Sequence, residues 1–479
     1  MMRPYTPKGC ETPAALLAFS TIVAGVATKG AMEEKRRLLR IDLHGPVLRG
    51  SNGWEGGHVG AGKQRPGAGR GEGATDAPDM QLAFISALPA MGAMSRMLPP
   101  DAPARRMARP PFPPVSQAIG LARLLCILGI VYVHAWTGLG GDQMAAQMGS
   151  AQDILRWTVV ELFGRSAVPL LSMVSGWLVA GSLARRGAKP FLDSKARTIL
   201  LPMILWNAIA MVLVVGAATL GWARAPLLGD ARWIADNLLN LTRAGDINVQ
   251  TAFLRDLFLC MLAAPLLVRL RSRWLLLVGA LAALWWVSLF KFPLLLRPTI
   301  LLFFVGGILA RRHGLAERAA LLPPWQAVLP FLLVVPVKIW LSIENGGLAD
   351  FHLHATAAVD LLTRSAASLL VWRGAIALAA RPVGVRLLEF ERYAFFLFCC
   401  HLLFMWLVAP AIGELTGTMG SPLWPAFFLL QPALAFGFAI LLAKAVEAVS
   451  PKLAELLSGG RLGRDQATSP AARPLAQAH

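Results

Sequence analysis

From Gln117 onward the chain alternates long apolar runs with short polar and basic segments. The runs recur ten times, at roughly 117–138, 158–180, 198–220, 253–268, 274–290, 296–310, 325–342, 356–380, 394–412 and 423–446. About 20 helical residues, rising ~1.5 Å each, cross the ~30 Å hydrocarbon core of a bilayer. The pattern therefore predicts an all-α, polytopic membrane fold with about ten transmembrane helices. Residues 1–110 break it, with GGHVGAGKQRPGAGRGEGATDAP at their centre and MLPPDAPARRMARPPFPPV at their end. Such composition cannot bury enough apolar surface to offset the entropy of ordering, so a disordered extension is expected there. The apolar patch from Pro13 to Thr28 is rich in Ala and Gly, short for a span, and lacks a clean signal-peptide cleavage pattern. Met94, Met97 and Met107 precede the first strong run, and a translation start at one of them is an open alternative. The expected division is an extension over 1–110, a ten-helix domain over 111–450 and a cytoplasmic tail over 451–479.

Composition agrees with this pattern. At 56% hydrophobic and 15% charged residues, with mean hydropathy +0.56, the chain is too apolar for an ordinary soluble domain of its length. A net charge of +19 would point to nucleic acid in a soluble protein. Here the basic residues gather between apolar runs, where they report membrane orientation instead, and no nucleic-acid partner is expected. Alternate connecting segments carry fourteen Lys and Arg residues against six in the others. That bias predicts both termini on the cytoplasmic side of the cell inner (plasma) membrane. The five cysteines, Cys10, Cys126, Cys260, Cys399 and Cys400, show no metal-ligand spacing, so neither a disulfide framework nor a metal site is expected.

Polar residues inside the runs narrow the function. The first run, QAIGLARLLCILGIVYVHAWTG, is interrupted by Arg123 and His134. Eleven residues at ~100° each end about 20° beyond three full turns, so both lie on one stripe of the helix. An ionisable group in a span costs at least ~2.5 kcal/mol unless it faces a cavity or a partner. The stripe is either a polar channel, or Arg123 snorkelling to the interface with His134 hydrogen-bonded across the bundle. Glu161 and Arg165, one turn apart in the second run, read equally as a helix ion pair and as partners at the depth of His134, where the carboxylate would orient the imidazole. Lys195 and Arg197 open the third run, as a positive-inside signal or as a grip on a phosphate-bearing molecule. Arg255 and Asp256 begin the fourth.

Taken together, these segments resemble the integral-membrane type 3 acyltransferases, which modify sugars and other acceptors. The likeness runs from about Gln117 to Lys444. Its elements are Arg123 followed eleven residues later by His134, RSAVPLLSMVSG after the second-run carboxylate, and Lys195, Arg197, Thr198, Leu201, Pro202 and Trp206 in the third run. AFLRDLF, FFVGGILARR and YAFFLFCCHLLF with His401 complete it. The sequence departs from the family at Ala252, where Trp is usual, and near Gly120 and Leu121, where an aspartate is often found. The resemblance implies O-acyl transfer, most often of acetyl from acyl-CoA, to a hydroxyl of a carbohydrate or lipid-linked glycan, in contact with membrane lipid and without a metal. On this reading His134 is the base, with Glu161 beside it, and Arg165 stabilises the developing oxyanion. Arg123, Lys195 and Arg197 bind the donor, and Arg255, Asp256 and His401 are further candidates. The rival class is a permease or flippase for an anionic solute or glycan precursor, with the same arginines lining a passage.

Overall fold

A computed structural model describes residues 115–344 and 350–462. The proposed extension over 1–110 lies outside the described residues, as does most of the tail. The described chain is helical, with no strand among its residues. In order, the helices are α1 (Val115–Val133), α2 (Gly141–Ala146), α3 (Ala151–Arg186), α4 (Ala188–Thr219), α5 (Ala231–Leu239), α6 (Val249–Leu267), α7 (Ser272–Val287) and α8 (Thr299–His313). They continue with α9 (Leu315–Leu321), α10 (Pro324–Glu344), α11 (Asp350–Ala379), α12 (Pro382–Leu388), α13 (Glu391–Leu407), α14 (Ala409–Thr416), α15 (Trp424–Val449) and α16 (Pro451–Leu457). Among the described residues, seven helices are long and apolar enough to cross a membrane. The number becomes nine if two bent pairs, α8–α9 at 79° and α12–α13 at 59°, each count as one span. The shorter apolar α7 corresponds to the remaining run of the sequence pattern; its 16 residues rise only about 24 Å. Leu266, Leu284, Leu332 and Leu441 stay more than half exposed, the outward apolar surface expected of a lipid-facing bundle.

The first helix is the hub: α1 packs against α3, α11, α13 and α15. Glycine permits its approach to α3, because a Cβ on Gly129 would fall 2.3 Å from the Phe163 carbonyl oxygen. At the α3–α8 crossing, a Cβ on Gly307 would meet the Met173 carbonyl oxygen at 2.0 Å, and one on Gly176 the Phe304 carbonyl oxygen at 1.9 Å. Small residues at both sides of a crossing let two backbones touch, the packing that membrane helices use when the hydrophobic effect between them is absent.

Two π turns interrupt the long helices, at Val160–Gly164 in α3 and Ala196–Leu200 in α4. Each precedes a proline inside its helix, Pro169 and Pro202. A proline has no N–H to return to the carbonyl four residues back and its ring crowds that carbonyl; for Pro202 that carbonyl is Thr198, inside the second π turn, and for Pro169 it is Arg165, just past the first. The backbone N–H of Arg165 reaches back to the carbonyl of Val160, and that of Leu201 to Ala196. One π turn leads into Arg165 and the other follows Lys195.

After α5 and into the first turn of α6 the chain dips back into the bundle, burying Asn240, Ile247, Asn248, Gln250 and Thr251. Irregular backbone is tolerated at such depth only when protein satisfies it. Asn207 of α4 does this: its Oδ1 accepts from Asn248 Nδ2 at 3.0 Å and Thr251 Oγ1 at 2.9 Å, while its Nδ2 donates to the Leu238 carbonyl at 2.9 Å.

Candidate active site

Two cavities lie one above the other along α1. The first, of about 140 Å³, is lined by Arg123 and Ile127 of α1, by Ser175, Leu178 and Ser182 of α3, by Phe191, Lys195 and Thr198 of α4, and by Glu391 of α13. Arg461, just beyond α16, closes it. The second, of about 160 Å³, is lined by His134, Arg165, Gln250, Trp286, Arg297, Thr299 and Arg364. Either volume is roughly ten times the ~15 Å³ needed to hold one water, so each has room for part of a substrate.

The basic cavity brings together two of the three expected donor-binding residues. Arg123 lies 3.4 Å from Glu391 across the bundle, and its side chain is 38% exposed. Lys195 lies over the Phe191 ring at 5.5 Å, and Arg461 over Phe395 at 4.2 Å. Arg197, by contrast, is exposed within the second π turn and does not line the cavity. Arg461 had no signal in the sequence beyond being one basic residue in a tail. It reaches the cavity because α16 folds back onto α4, where Trp206 Nε1 donates to the Leu457 carbonyl at 3.0 Å.

At the other cavity, His134 stands one residue past the end of α1 with its ring 5.5 Å from that of His401. His401 is fully buried, and its Nδ1 lies 2.9 Å from the Phe398 carbonyl and 3.2 Å from that of Leu397. Carbonyl oxygens only accept, so Nδ1 carries a proton, and in the neutral ring Nε2 is then a bare lone pair. That Nε2 is buried and has no hydrogen-bond partner. The companion of His134 is thus a second imidazole able to accept its N–H. Glu161 does not fill that position: it is fully buried, pairs with Arg165 at 3.5 Å, and makes no hydrogen bond to His134. The i,i+4 reading of that pair describes the geometry, and Glu161 reaches the cavity only through Arg165.

Three guanidinium groups surround His134. Arg165 is held by Glu161, and Arg364 by Asp360, which also lies 3.7 Å from Lys338. Among the described residues no carboxylate lies within ion-pair distance of Arg297. Arg255 and Asp256, expected as possible site residues, stand behind it. The Arg255 guanidinium donates to the carbonyls of Pro293 at 2.6 Å and Leu294 at 2.9 Å, while Asp256 accepts from the backbone N–H of Arg297 at 2.8 Å and of Leu296 at 3.3 Å. The pair ties down the segment that aims Arg297 at the cavity. Trp286 adds an aromatic face, fixed by its Nε1 donating to the Ala357 carbonyl at 3.2 Å. Among the described residues no cluster of His, Cys, Asp and Glu could hold a metal ion, and the four described cysteines are buried and free.

The second cavity thus sets two imidazoles 5.5 Å apart beside three guanidinium groups, the residue types suited to proton removal and to stabilising an oxyanion. Comparisons with known proteins show the family. Residues 116–444 match the family model for the acyltransferase domain. The chain is also similar to a succinoglycan biosynthesis protein, ExoH, of Rhizobium meliloti (strain 1021), with 30% identity over 373 residues, 74% of this chain and 95% of that protein. No solved structure matches it.

Proposed function

On the premise that this chain belongs to the acyltransferase 3 family, we propose that it transfers an acyl group, most often acetyl, from acyl-CoA to a hydroxyl of a polysaccharide or its lipid-linked precursor at the cell inner membrane. The observation that carries the reading is the stacking of a basic cavity, with Arg123 and Lys195, beneath a cavity in which His134 faces Arg165, Arg297 and Arg364. Eleven residues of helix separate Arg123 from His134 by about 16 Å along the axis. That distance suits a long donor whose phosphates rest in the first cavity and whose thioester reaches the second.

In the reaction, His134 takes the proton of the acceptor hydroxyl while its other ring nitrogen donates to His401 Nε2. The hydroxyl oxygen forms a bond to the thioester carbonyl carbon, and the carbonyl oxygen becomes an oxyanion opposite Arg297 and Arg165. The carbon–sulfur bond then breaks with its electron pair on sulfur, and the proton held by His134 passes to that sulfur, leaving ester and free thiol. Glu161 and His401 are positioning residues, acting through Arg165 and His134. Trp286 offers a face for a sugar ring.

The test is acyl transfer from labelled acetyl-CoA by purified protein in lipid, with thiol release followed in parallel. Label on polysaccharide and stoichiometric free thiol are expected. A permease would release no thiol, and that outcome would contradict the reading. Orientation is a separate expectation: the loop charge bias predicts that reporter fusions after Gly187 and Gly314 read cytoplasmic and one after Gly221 reads external. A cytoplasmic signal at Gly221 would reverse the donor side.

A further inference from the structure

The two cavities share only two walls, the side chains of Phe253 and Phe398. The rings stand edge to face, 5.8 Å apart at 64°, and are almost fully buried. The boundary is narrow on the helices that line both cavities. On α1 Ile127 faces the basic cavity and Ile130, one turn on, faces the His134 cavity; on the oppositely directed α3 the switch lies between Leu171 and Val168. The partition is therefore one helical turn, about 5 Å, thick. The backbone beside each ring is tied into buried polar contacts. The Phe398 carbonyl accepts from His401 Nδ1, and Phe253 follows the buried Gln250 by one turn.

We propose that Phe253 and Phe398 form the neck through which the acyl end of the donor passes from the basic cavity to His134, and that their bulk sets which acyl groups the enzyme transfers. This rests on the acyl-CoA reading above. A narrow thioester arm needs only a small rotation of two rings, whereas a longer or branched acyl group must displace them. Neither ring carries a polar atom, so the neck contributes sieving and dryness and no chemistry. It also keeps water in one cavity from reaching a thioester held in the other.

The experiment measures kcat/KM for acetyl-, propionyl-, butyryl- and hexanoyl-CoA with purified wild type and with Phe253→Ala, Phe398→Ala and Phe398→Trp, alongside acetyl-CoA affinity. The alanine variants are expected to raise the hexanoyl-to-acetyl ratio at least tenfold. Phe398→Trp is expected to depress turnover of every donor while acetyl-CoA binding stays within threefold of wild type. Phe253→Leu and Phe398→Leu, which keep most of the apolar volume, carry the same comparison if the alanine variants do not insert, with a smaller shift in the same direction. Wild type that turns over none of the four thioesters would overturn the acyl-CoA reading and the neck with it. Wild type that turns over acetyl-CoA, with the ratio unchanged in inserted variants, would overturn the neck alone.

Discussion

His134→Ala is expected to lower turnover by roughly 10² to 10⁴, the usual contribution of a positioned general base, while acetyl-CoA binding stays near wild type. The separation follows from position. His134 lines the cavity remote from Arg123 and Lys195, so removing its imidazole leaves the donor's anionic contacts in place. His401→Ala should produce a smaller loss of the same kind, and His401→Gln, whose amide oxygen can accept the His134 N–H, should restore part of it. A His134→Ala enzyme with near-normal turnover would remove the base from the mechanism. Paired insertion measurements are part of the test, since loss of folded protein mimics loss of catalysis.

Asp360→Ala is expected to cost about 3–5 kcal/mol of stability, because breaking a buried ion pair from one side leaves a charge without compensation. Asp360, Arg364 and Lys338 are all buried, and Asp360 holds the Arg364 guanidinium and lies 3.7 Å from the Lys338 ammonium. The effect should appear as a sharply lowered melting temperature and yield in detergent. Asp360→Ala combined with Arg364→Met should recover part of the stability, since it removes the buried Arg364 charge along with its carboxylate, while Lys338 still loses Asp360. Recovered stability without recovered activity would also identify Arg364 as a working wall of the His134 cavity.

The apolar runs are legible in the sequence because length and hydropathy are local properties, and each of the ten coincides with an apolar helix. Arg123, His134 and Arg165 stand out for a related reason: an ionisable group in an apolar run has few inexpensive environments. Residues whose roles depend on long-range packing are not. Arg297 reads as an ordinary loop charge until Asp256, 41 positions away, fixes its backbone. Gln250 lies in a segment whose return into the bundle depends on Asn207 of another helix. Arg461 reaches the basic cavity from the end of the described chain. Arg364 had a usable signal, since Asp360 and Arg364 form an i,i+4 pair inside an apolar run, just as Glu161 and Arg165 do. The assignment of Glu161 to His134 came from matching their depths alone. Two groups at one depth on neighbouring helices need not face each other, and the carboxylate turns to the arginine one turn along its own helix.

The division of labour along α1 is the centre of the account, and donor affinity measured beside turnover in Arg123→Ala and His134→Ala tests it most directly. The account predicts that Arg123→Ala weakens acetyl-CoA binding, that Arg123→Lys restores only part of it because the ammonium lacks the planar fork, and that His134→Ala binds donor normally but turns over slowly. Equal loss of donor binding in both alanine variants, with no separate effect on turnover, would contradict it and leave the two residues as a structural polar stripe.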